Sequence, residues 1–524
     1  MLSNTFRRAT GRDYTSLGEA NPNLTIKRQR RAFFSKKILL RFLSVVFAIF
    51  IFYCIGSYLN KLGSRSNSDL LADTDSILDT RLVSKHCDNA ATGKPLVQYV
   101  LMIDAGSTGS RIHVYKFNNC KNRPELEDEV FEQIKPGLSS FGSDAEGAAK
   151  SLDVLMDIAL KNIPPSLRSC TPVSVKATAG LRLLGNNKAE QILKAIRNRF
   201  ISKYPFQLAK ENAPISVMEG RDEGVFAWIT VNYLLNTIGN TGSKTAGTFD
   251  LGGGSAQIVF EPSSKSNPGI TAFPETNKVN DYKHKFNYNK LNYELYQHSY
   301  LGYGLMSARE KMLNEIVNSS LLDEDFSAAH PCFPPHYEKT VNLISHSKPV
   351  KLKGLPLINE NQEKSTISSS KTSGFEQCLK VAQKILNVSE TCTVEPCSFS
   401  GIYQPDFNNN FDSNPFYIFS YFYDRTDPFK LGSEFKLSDI KKLAEKVCHH
   451  DYSMFKDADE LKELKSESHY CLDLSYIYSL LKYGIGVSDE RVLKTARKIN
   501  DAETGWCLGA ALSLLSQHSY CPAY

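Results

Sequence analysis

Past residue 95 the chain alternates between two hydrophobic rhythms. Apolar runs short enough to be buried strands fall at 99–104, 173–178, 215–218, 246–249 and 257–260. Segment 111–117 (Arg-Ile-His-Val-Tyr-Lys-Phe) alternates like a strand joined to 99–104 by a hairpin. Between these, apolar residues recur at a period of about 3.6 and predict helices at 145–160, 189–200 and 223–235. Farther on, 417–423 (Tyr-Ile-Phe-Ser-Tyr-Phe-Tyr) reads as an aromatic strand, and 472–481, 489–499 and 505–515 as helices. Segments 262–290 and 345–375 are rich in Ser, Asn and Lys and read as surface insertions. Strands alternating with helices specify an α/β architecture.

Two strand ends in this pattern echo each other. Leu101-Met102-Ile103-Asp104-Ala105-Gly106-Ser107-Thr108-Gly109-Ser110 and Thr248-Phe249-Asp250-Leu251-Gly252-Gly253-Gly254-Ser255 are each an apolar run, one Asp and a loop of small residues. Gly lets backbone N–H groups approach an anionic oxygen closely, and Ser and Thr hydroxyls add donors. An Asp at a strand end can hold a hydrated divalent cation against that anion. A lone Asp-x-Gly is a common turn; the matched copy, 146 residues on, instead implies two related halves gripping one polyphosphate.

A chain of 524 residues can bury a large core and is expected to form more than one domain. Its net charge of +6 is unevenly placed: residues 1–61 hold eleven Lys/Arg against Asp13 and Glu19, or +9, which leaves −3 for the rest. That mildly acidic remainder argues against a nucleic-acid partner. The basic cluster precedes an uncharged run, 42–59, whose length as a helix is about 27 Å at ~1.5 Å per residue, enough for a thin bilayer. Lys36, Lys37 and Arg41 on its N-terminal flank put the preceding residues in the cytosol and the following ones in a lumen. The long basic lead and the poor cleavage site at Gly56-Ser57-Tyr58 argue against a removed signal peptide. The expected order is a cytosolic tail at 1–41, a transmembrane signal anchor at 42–59 and a polar stem at 60–95.

Eleven of the twelve cysteines lie beyond that span, with no Cys/His zinc spacing, so disulfides in an oxidising lumen are expected. Asn318-Ser319-Ser320 and Asn387-Val388-Ser389 are glycosylation acceptors on the lumenal side; Asn23-Leu24-Thr25 falls on the cytosolic side.

Hydrolysis of a phosphoanhydride needs donors on the terminal phosphoryl group, a metal to neutralise spreading charge, an aligned water and a carboxylate to deprotonate it. The two loops supply the donors. Asp104 and Asp250 are candidate metal holders acting through water. Glu219-Gly220-Arg221-Asp222-Glu223-Gly224 offers three carboxylates, of which Glu223 opens a helix whose dipole would keep it ionised, although acids at helix starts often serve the dipole alone. There is no G-x-x-x-x-G-K-[ST] and no G-x-S-x-G, which removes P-loop enzymes and esterases.

Five segments, in order, resemble the apyrase regions of the nucleoside triphosphate diphosphohydrolases. They are Ile103-Asp104-Ala105-Gly106-Ser107-Thr108-Gly109-Ser110-Arg111, Lys176-Ala177-Thr178-Ala179-Gly180-Leu181-Arg182, Glu223-Gly224-Val225-Phe226-Ala227-Trp228-Ile229-Thr230-Val231-Asn232-Tyr233, Asp250-Leu251-Gly252-Gly253-Gly254-Ser255-Ala256-Gln257, and Phe419-Ser420-Tyr421-Phe422-Tyr423-Asp424. With the type II anchor, the resemblance points to the fungal Golgi guanosine diphosphatase branch of that family. It implies a two-lobed actin-like (ribonuclease-H-type) fold with the active site in the cleft, lobe I being 96–215 with 490–524 and lobe II 216–489. It implies Glu223 as base, and Ser255 and Gln257 on the attacking water. Phosphate contacts would come from Ser107, Thr108, Gly109, Thr178, Gly252, Gly253, Gly254 and Ser255. Asp104 and Asp250 would hold Mg²⁺, Mn²⁺ or Ca²⁺, and Tyr421 and Tyr476 would stack on the base. Arg111 and Arg182 are left open between phosphate and a structural carboxylate.

By the same resemblance, disulfides are expected at Cys332–Cys378, Cys448–Cys471 and Cys392–Cys397. Cys507–Cys521 and Cys120–Cys170 are offered as guesses, which leaves Cys87 to bridge two chains as a homodimer. The implied reaction is GDP + H2O to GMP + phosphate, clearing GDP released by mannosyl transfer and supplying GMP for exchange against GDP-mannose. The competing readings are a uridine diphosphatase or broad apyrase, and, in another class, an actin-like sugar kinase or chaperone ATPase.

Overall fold

Two mixed β-sheets carry the fold, and each is built outward from a hairpin. In the first, β1 (Val97–Ala105) and β2 (Ser110–Asn118) pair antiparallel with Asp104 opposite Arg111. β3 (Glu125–Ile134) adds antiparallel to β2, and β4 (Pro172–Ala177) parallel to β1. β5 (Gln207–Leu208) and β6 (Ile215–Val217) both run parallel to β4. In the second sheet β7 (Gly247–Leu251) and β8 (Ser255–Phe260) form the hairpin, with Asp250 opposite Gln257. β9 (Lys283–Tyr288) and β10 (Leu291–Leu301) extend it beyond β8. A small separate sheet holds β11 (Ser327–His330), β12 (Glu338–Val341) and β13 (Val350–Gly354). β14 (Phe416–Ser420) lies parallel to β7, and β15 (Glu434–Lys436) and β16 (Val492–Thr495) complete the edge. Both sheets thus share one plan: a hairpin, an antiparallel strand beyond its second member and a parallel strand beside its first.

This computed structural model describes residues 79–263, 273–274, 276–342, 348–355, 374–411 and 414–522. The described residues belong to the unit Asp79–Tyr524. The expected tail, the anchor at 42–59 and the first part of the stem lie outside them. Among the described residues no helix is long and apolar enough to cross a membrane.

Strand periodicity explains how β1 comes to be buried on both faces. Val97, Tyr99, Leu101 and Ile103 enter a core with Leu155, Ile192 and Ile196, from helices α1 (Ala145–Ser151), α2 (Asp153–Asn162), α3 (Ala179–Leu184) and α4 (Asn186–Lys203) and their connections. Val100 and Met102 enter a different core with Ala227 and Val231 of α5 (Gly220–Leu234) and with Leu508 and Ala511 near the C-terminus. The largest core lies around the second sheet. It takes Phe249 and Leu251 from β7 and Met312 and Ile316 from α6 (Leu305–Ser319).

Several expectations are corrected. The helix at 145–160 is two helices meeting at Leu152. The aromatic strand stops at Ser420, which has φ of 60°, and the chain turns into α7 (Tyr421–Thr426). The helix at 489–499 is absent: β16 and β17 (Lys498–Ile499) occupy it, followed by β18 (Ala502–Glu503). Leu493 and Thr495 are buried while Val492 is exposed, a period of two that pairing with β14 and β15 satisfies. Within the expected insertions, 283–288 and 350–354 are strands.

Residues 79–95, expected as stem, pack on the first sheet. The buried Lys116 Nζ donates to the carbonyls of Thr80 and Val83 and pairs with Glu127 at 2.8 Å. Disulfides join Cys87 to Cys120 and Cys170 to Cys521, in place of Cys120–Cys170 and Cys507–Cys521, and Cys507 is a free buried thiol. Cys507 opens helix α10 (Cys507–Gln517), and Cys521 beyond its far end is engaged by Cys170. Cys87 is therefore not available to bridge two chains. Cys332–Cys378, Cys392–Cys397 and Cys448–Cys471 are bonded.

Helix α10 seats on α5 through Gly509. Its N–H donates to Thr230 Oγ1 at 2.8 Å, and a Cβ there would stand 2.1 Å from the Phe226 carbonyl oxygen. Gly509→Ala should therefore push the two helices apart and lower stability by about 1–3 kcal/mol, the usual cost of overpacking, read from urea unfolding of the purified chain. Unchanged stability would show that α10 does not bear on α5.

Candidate active site

The tips of the two hairpins meet. A Cβ on Gly253 would stand 2.3 Å from Ser107 Oγ and 3.1 Å from Thr108 Cγ2, so only glycine lets the second loop approach the first this closely. The first turn of α6 backs the second loop: the N–H groups of Leu305 and Met306 donate to the carbonyls of Gly252 and Gly253, each at 2.9 Å. Around this junction lies a cavity of about 920 Å³, lined at its base by Asp104, Gly106, Ser107, Thr108, Thr178, Glu223, Asp250, Gly252, Gly253 and Ser420.

Two aspartates, buried Asp250 and half-buried Asp104, line the cavity at the junction. Asp104 Oδ2 accepts from Arg111 Nη1 at 2.9 Å, the pair being cross-strand neighbours on β1 and β2. Asp104 Oδ1 and Asp250 Oδ1 are buried without a hydrogen-bond partner, and so is Gln257 Oε1. Burial pushes the Asp250 carboxyl up to about 6; a hydrogen bond from Ser420 opposes this, the Asp104 charge adds to it and Arg111 counters. Buried orphan oxygens from two carboxylates and an amide are the donor set of a hard, hydrated cation such as Mg²⁺, Mn²⁺ or Ca²⁺. The residues present fit such an ion.

The third carboxylate is Glu223 in the first turns of α5. Its side chain is 9% exposed and forms an ion pair with Arg182 Nη2 from α3. Gln257 Nε2 lies 3.4 Å from Glu223 Oε2, 2.6 Å from Ser255 Oγ and 2.9 Å from Ser299 Oγ. Glu223, Ser255 and Gln257 are therefore one cluster, assembled from α5 and β8. Burial pushes the Glu223 carboxyl up to about 8; Arg182 opposes the shift, and Asp250 and Asp104 reinforce it. The helix dipole does not keep this acid ionised, because desolvation at a buried position outweighs a terminal dipole screened near the surface.

Of the other expected residues, Thr178 reaches the cavity from the end of β4. Gly109 packs toward the Ile134 carbonyl and Gly254 toward Ala179, so neither lies on the cavity wall. Arg111 and Arg182 both bind carboxylates in this structure. Tyr421 lines the cavity, with Arg425 stacked 5.6 Å from its ring centroid. Tyr476 does not: it is fully buried in the largest core and its hydroxyl donates to the Tyr303 carbonyl, because it sits mid-helix in α9 (Tyr470–Ser479), which is buried on every side.

Two hydroxyls were missed. Ser420 ends β14 beside β7 as Thr178 follows β4 beside β1, so the duplicated plan places a hydroxyl at each parallel strand's end. Ser299 on β10 lies opposite Gln257 in the strand register. The internal echo could have found Ser420; nothing local marks Ser299.

Comparison with known proteins bears on this geometry. Residues 92–521 match the GDA1/CD39 (nucleoside phosphatase) family. The chain is 46% identical over 444 residues to the probable guanosine-diphosphatase of Aspergillus fumigatus, covering 81% of this chain and 86% of that one. It is 45% identical over 442 residues to the guanosine-diphosphatase of Saccharomyces cerevisiae, covering 81% of each. The crystal structure of nucleoside triphosphate hydrolases from Neospora caninum superposes with a TM-score of 0.55 at 13% identity, covering 87% of this chain and 98% of that one, a likeness of fold.

The raised Glu223 carboxyl has a measurable consequence for metal-free protein. Between its ordinary value of 4.5 and about 8 the folded state holds a proton that the unfolded chain has lost. This group's contribution to stability therefore falls as pH rises through that window. Glu223→Gln removes the dependence. Urea unfolding in chelator should show the variant gaining on wild type from about pH 4.5 to 8 and holding level above. A difference that stays constant across that range would place the carboxyl at its ordinary value.

Proposed function

The chain belongs to the GDA1/CD39 (nucleoside phosphatase) family, and on that premise we propose that it is a guanosine diphosphatase anchored in the Golgi membrane with its catalytic part in the lumen. The observation that carries the reading is the grouping of buried Glu223 with Gln257 and Ser255 beside a cavity whose base is two Asp-Gly-Ser/Thr loops. Guanine is favoured by the names of the fungal relatives.

In this reading the diphosphate of GDP lies across the loops, met by Ser107, Thr108 and Thr178 and by the backbone N–H of Gly253, while Gly252, whose own N–H donates to the Ser255 carbonyl, lets the loop pass close to it. Ser255 and Gln257 hold a water in line with the bond to be broken. Glu223 takes a proton from that water as its oxygen attacks the terminal phosphorus. The bond to the bridging oxygen breaks, and GMP and phosphate leave. A divalent cation held through its waters by Asp104 and Asp250 would neutralise charge on the diphosphate and, by offsetting the field of the two aspartates, draw Glu223 toward the ionised form a base requires. Arg182 orients Glu223 and favours that same form.

The duplicated sheets support an actin-like, two-lobed arrangement with the cavity as its cleft. Lobe I is 96–215 together with the C-terminal segment; lobe II, expected to run 216–489, extends through β16, because β16 pairs with β14 in the second sheet. Asn318 and Asn387 are both exposed, as carriers of lumenal glycans must be. GDP released by lumenal glycosyl transfer is the substrate supply this placement gives, and GMP the product returned for exchange.

Two measurements test the reading on full-length protein in detergent. Glu223→Gln should lower kcat by at least ~10²-fold with the fold intact, the usual worth of a general base; normal turnover would assign the proton transfer to another group. Among GDP, UDP, ADP and ATP, GDP should give the highest kcat/KM; UDP as best substrate would make this a uridine diphosphatase, and ATP a broad apyrase.

A further inference from the structure

One wall of the cavity is not used by the chemistry above. It consists of Met306, Arg309, Tyr421, Arg425, Glu463 and Glu467. It begins at the second loop, since the Met306 N–H donates to the Gly253 carbonyl. It is held rigid from beneath by Asp473, which is fully buried. Arg309 Nε donates to Asp473 Oδ1 at 2.7 Å, and Arg425 Nε lies 2.8 Å from Asp473 Oδ2. The Arg425 guanidinium stacks between Tyr421, 5.6 Å from its ring centroid, and Tyr470, 5.1 Å away. A pre-set surface of aromatic ring, guanidinium and thioether, on the wall that continues from the second loop, is a platform for a nucleobase.

Stacking does not choose a base; edge contacts do. The wall carries two surface carboxylates with different commitments. Glu467 is occupied by its own neighbours: Oε1 accepts from His469 Nδ1 at 2.6 Å and from the His469 N–H at 3.2 Å, and Oε2 faces Arg309 at 3.5 Å and Arg425 at 3.8 Å. Glu463, in helix α8 (Ala458–Ser466), has Oε1 fixed by the Tyr470 hydroxyl at 2.6 Å, and no described residue donates to Oε2. Tyr470 thus orients the carboxylate beside the platform and leaves Oε2 and the second lone pair of Oε1 to a ligand.

We propose that the Glu463 carboxylate is the guanine-selecting group of this enzyme, accepting from both N1–H and the 2-amino group of the base. This rests on the diphosphatase reading above and names the residue that sets its base preference. The chemistry is discriminating because guanine alone among the common bases presents two adjacent donors to one carboxylate. Uracil presents one N–H between two carbonyl oxygens, which a carboxylate repels. Adenine places an acceptor nitrogen beside its amino group. Hypoxanthine keeps N1–H and lacks the amino group, so IDP isolates the second hydrogen bond.

The test is steady-state kinetics of full-length wild type and Glu463→Gln on GDP, IDP and UDP. The variant should lose the GDP-over-IDP and GDP-over-UDP ratios of kcat/KM by about 10-fold or more, within the worth of a two-point base contact, with the loss in KM rather than kcat. Glu463→Asp, which keeps the charge, should retain part of the preference and serves if the first variant does not fold. An equal loss on all three nucleotides, or unchanged ratios, would overturn the assignment while leaving the diphosphatase reading in place. A wild-type enzyme that turns over no nucleoside diphosphate would remove both.

Discussion

Three carboxylates, Asp104, Asp250 and Glu223, share one desolvated space, and much of the molecule exists to hold them there. Each comes from a different element, the ends of β1 and β7 and the start of α5. Like charges out of water repel, and the upward shifts of Asp250 and Glu223 register that repulsion together with burial. Arg111 and Arg182 answer part of it. The unanswered part, seen in the orphan oxygens of both aspartates, is an electrostatic demand for a cation.

Holding the three groups requires the two sheets to be fixed against each other, and the cores do this by strand periodicity. Alternate residues of β1 enter separate cores, one belonging to its own helical layer and one shared with α5 and α10. The helix that carries Glu223 thereby shares a core with the strand that carries Asp104, with α10 seated against both. The Cys170–Cys521 bond ties the chain just beyond α10 back to the segment before β4, so the last element of the sequence completes the layer that its first strand began.

Legibility followed chemistry more closely than packing. The paired loops were readable because an Asp and small residues at a strand end carry their own physical meaning, whereas Glu223, Ser255, Gln257 and Thr178 were singled out only by the resemblance of their segments to the family's motifs. Tyr476 was misplaced because an aromatic residue in a helix looks alike whether it faces a cleft or a core; only the surrounding burial of α9 separates the two. The segment 489–499 was read as helical because its apolar residues suit either period, and partner strands β14 and β15, distant in sequence, decided for a strand. Ser420 lay inside a recognised motif, yet its role depends on the left-handed turn that ends β14 next to β7.

By itself the sequence determined the α/β class, the matched pair of Asp-Gly-Ser/Thr loops and the family. These depend on residue type and local spacing, which every observer of the chain sees. The tertiary structure decided which cysteines meet, that residues 79–95 belong to the folded unit, that burial rather than a helix dipole governs Glu223, and which wall of the cavity offers an unspent carboxylate. Those outcomes depend on desolvation and on contacts between residues far apart in the chain, such as Cys170 with Cys521 or Tyr470 with the base of the Arg425 stack, and no local pattern encodes them.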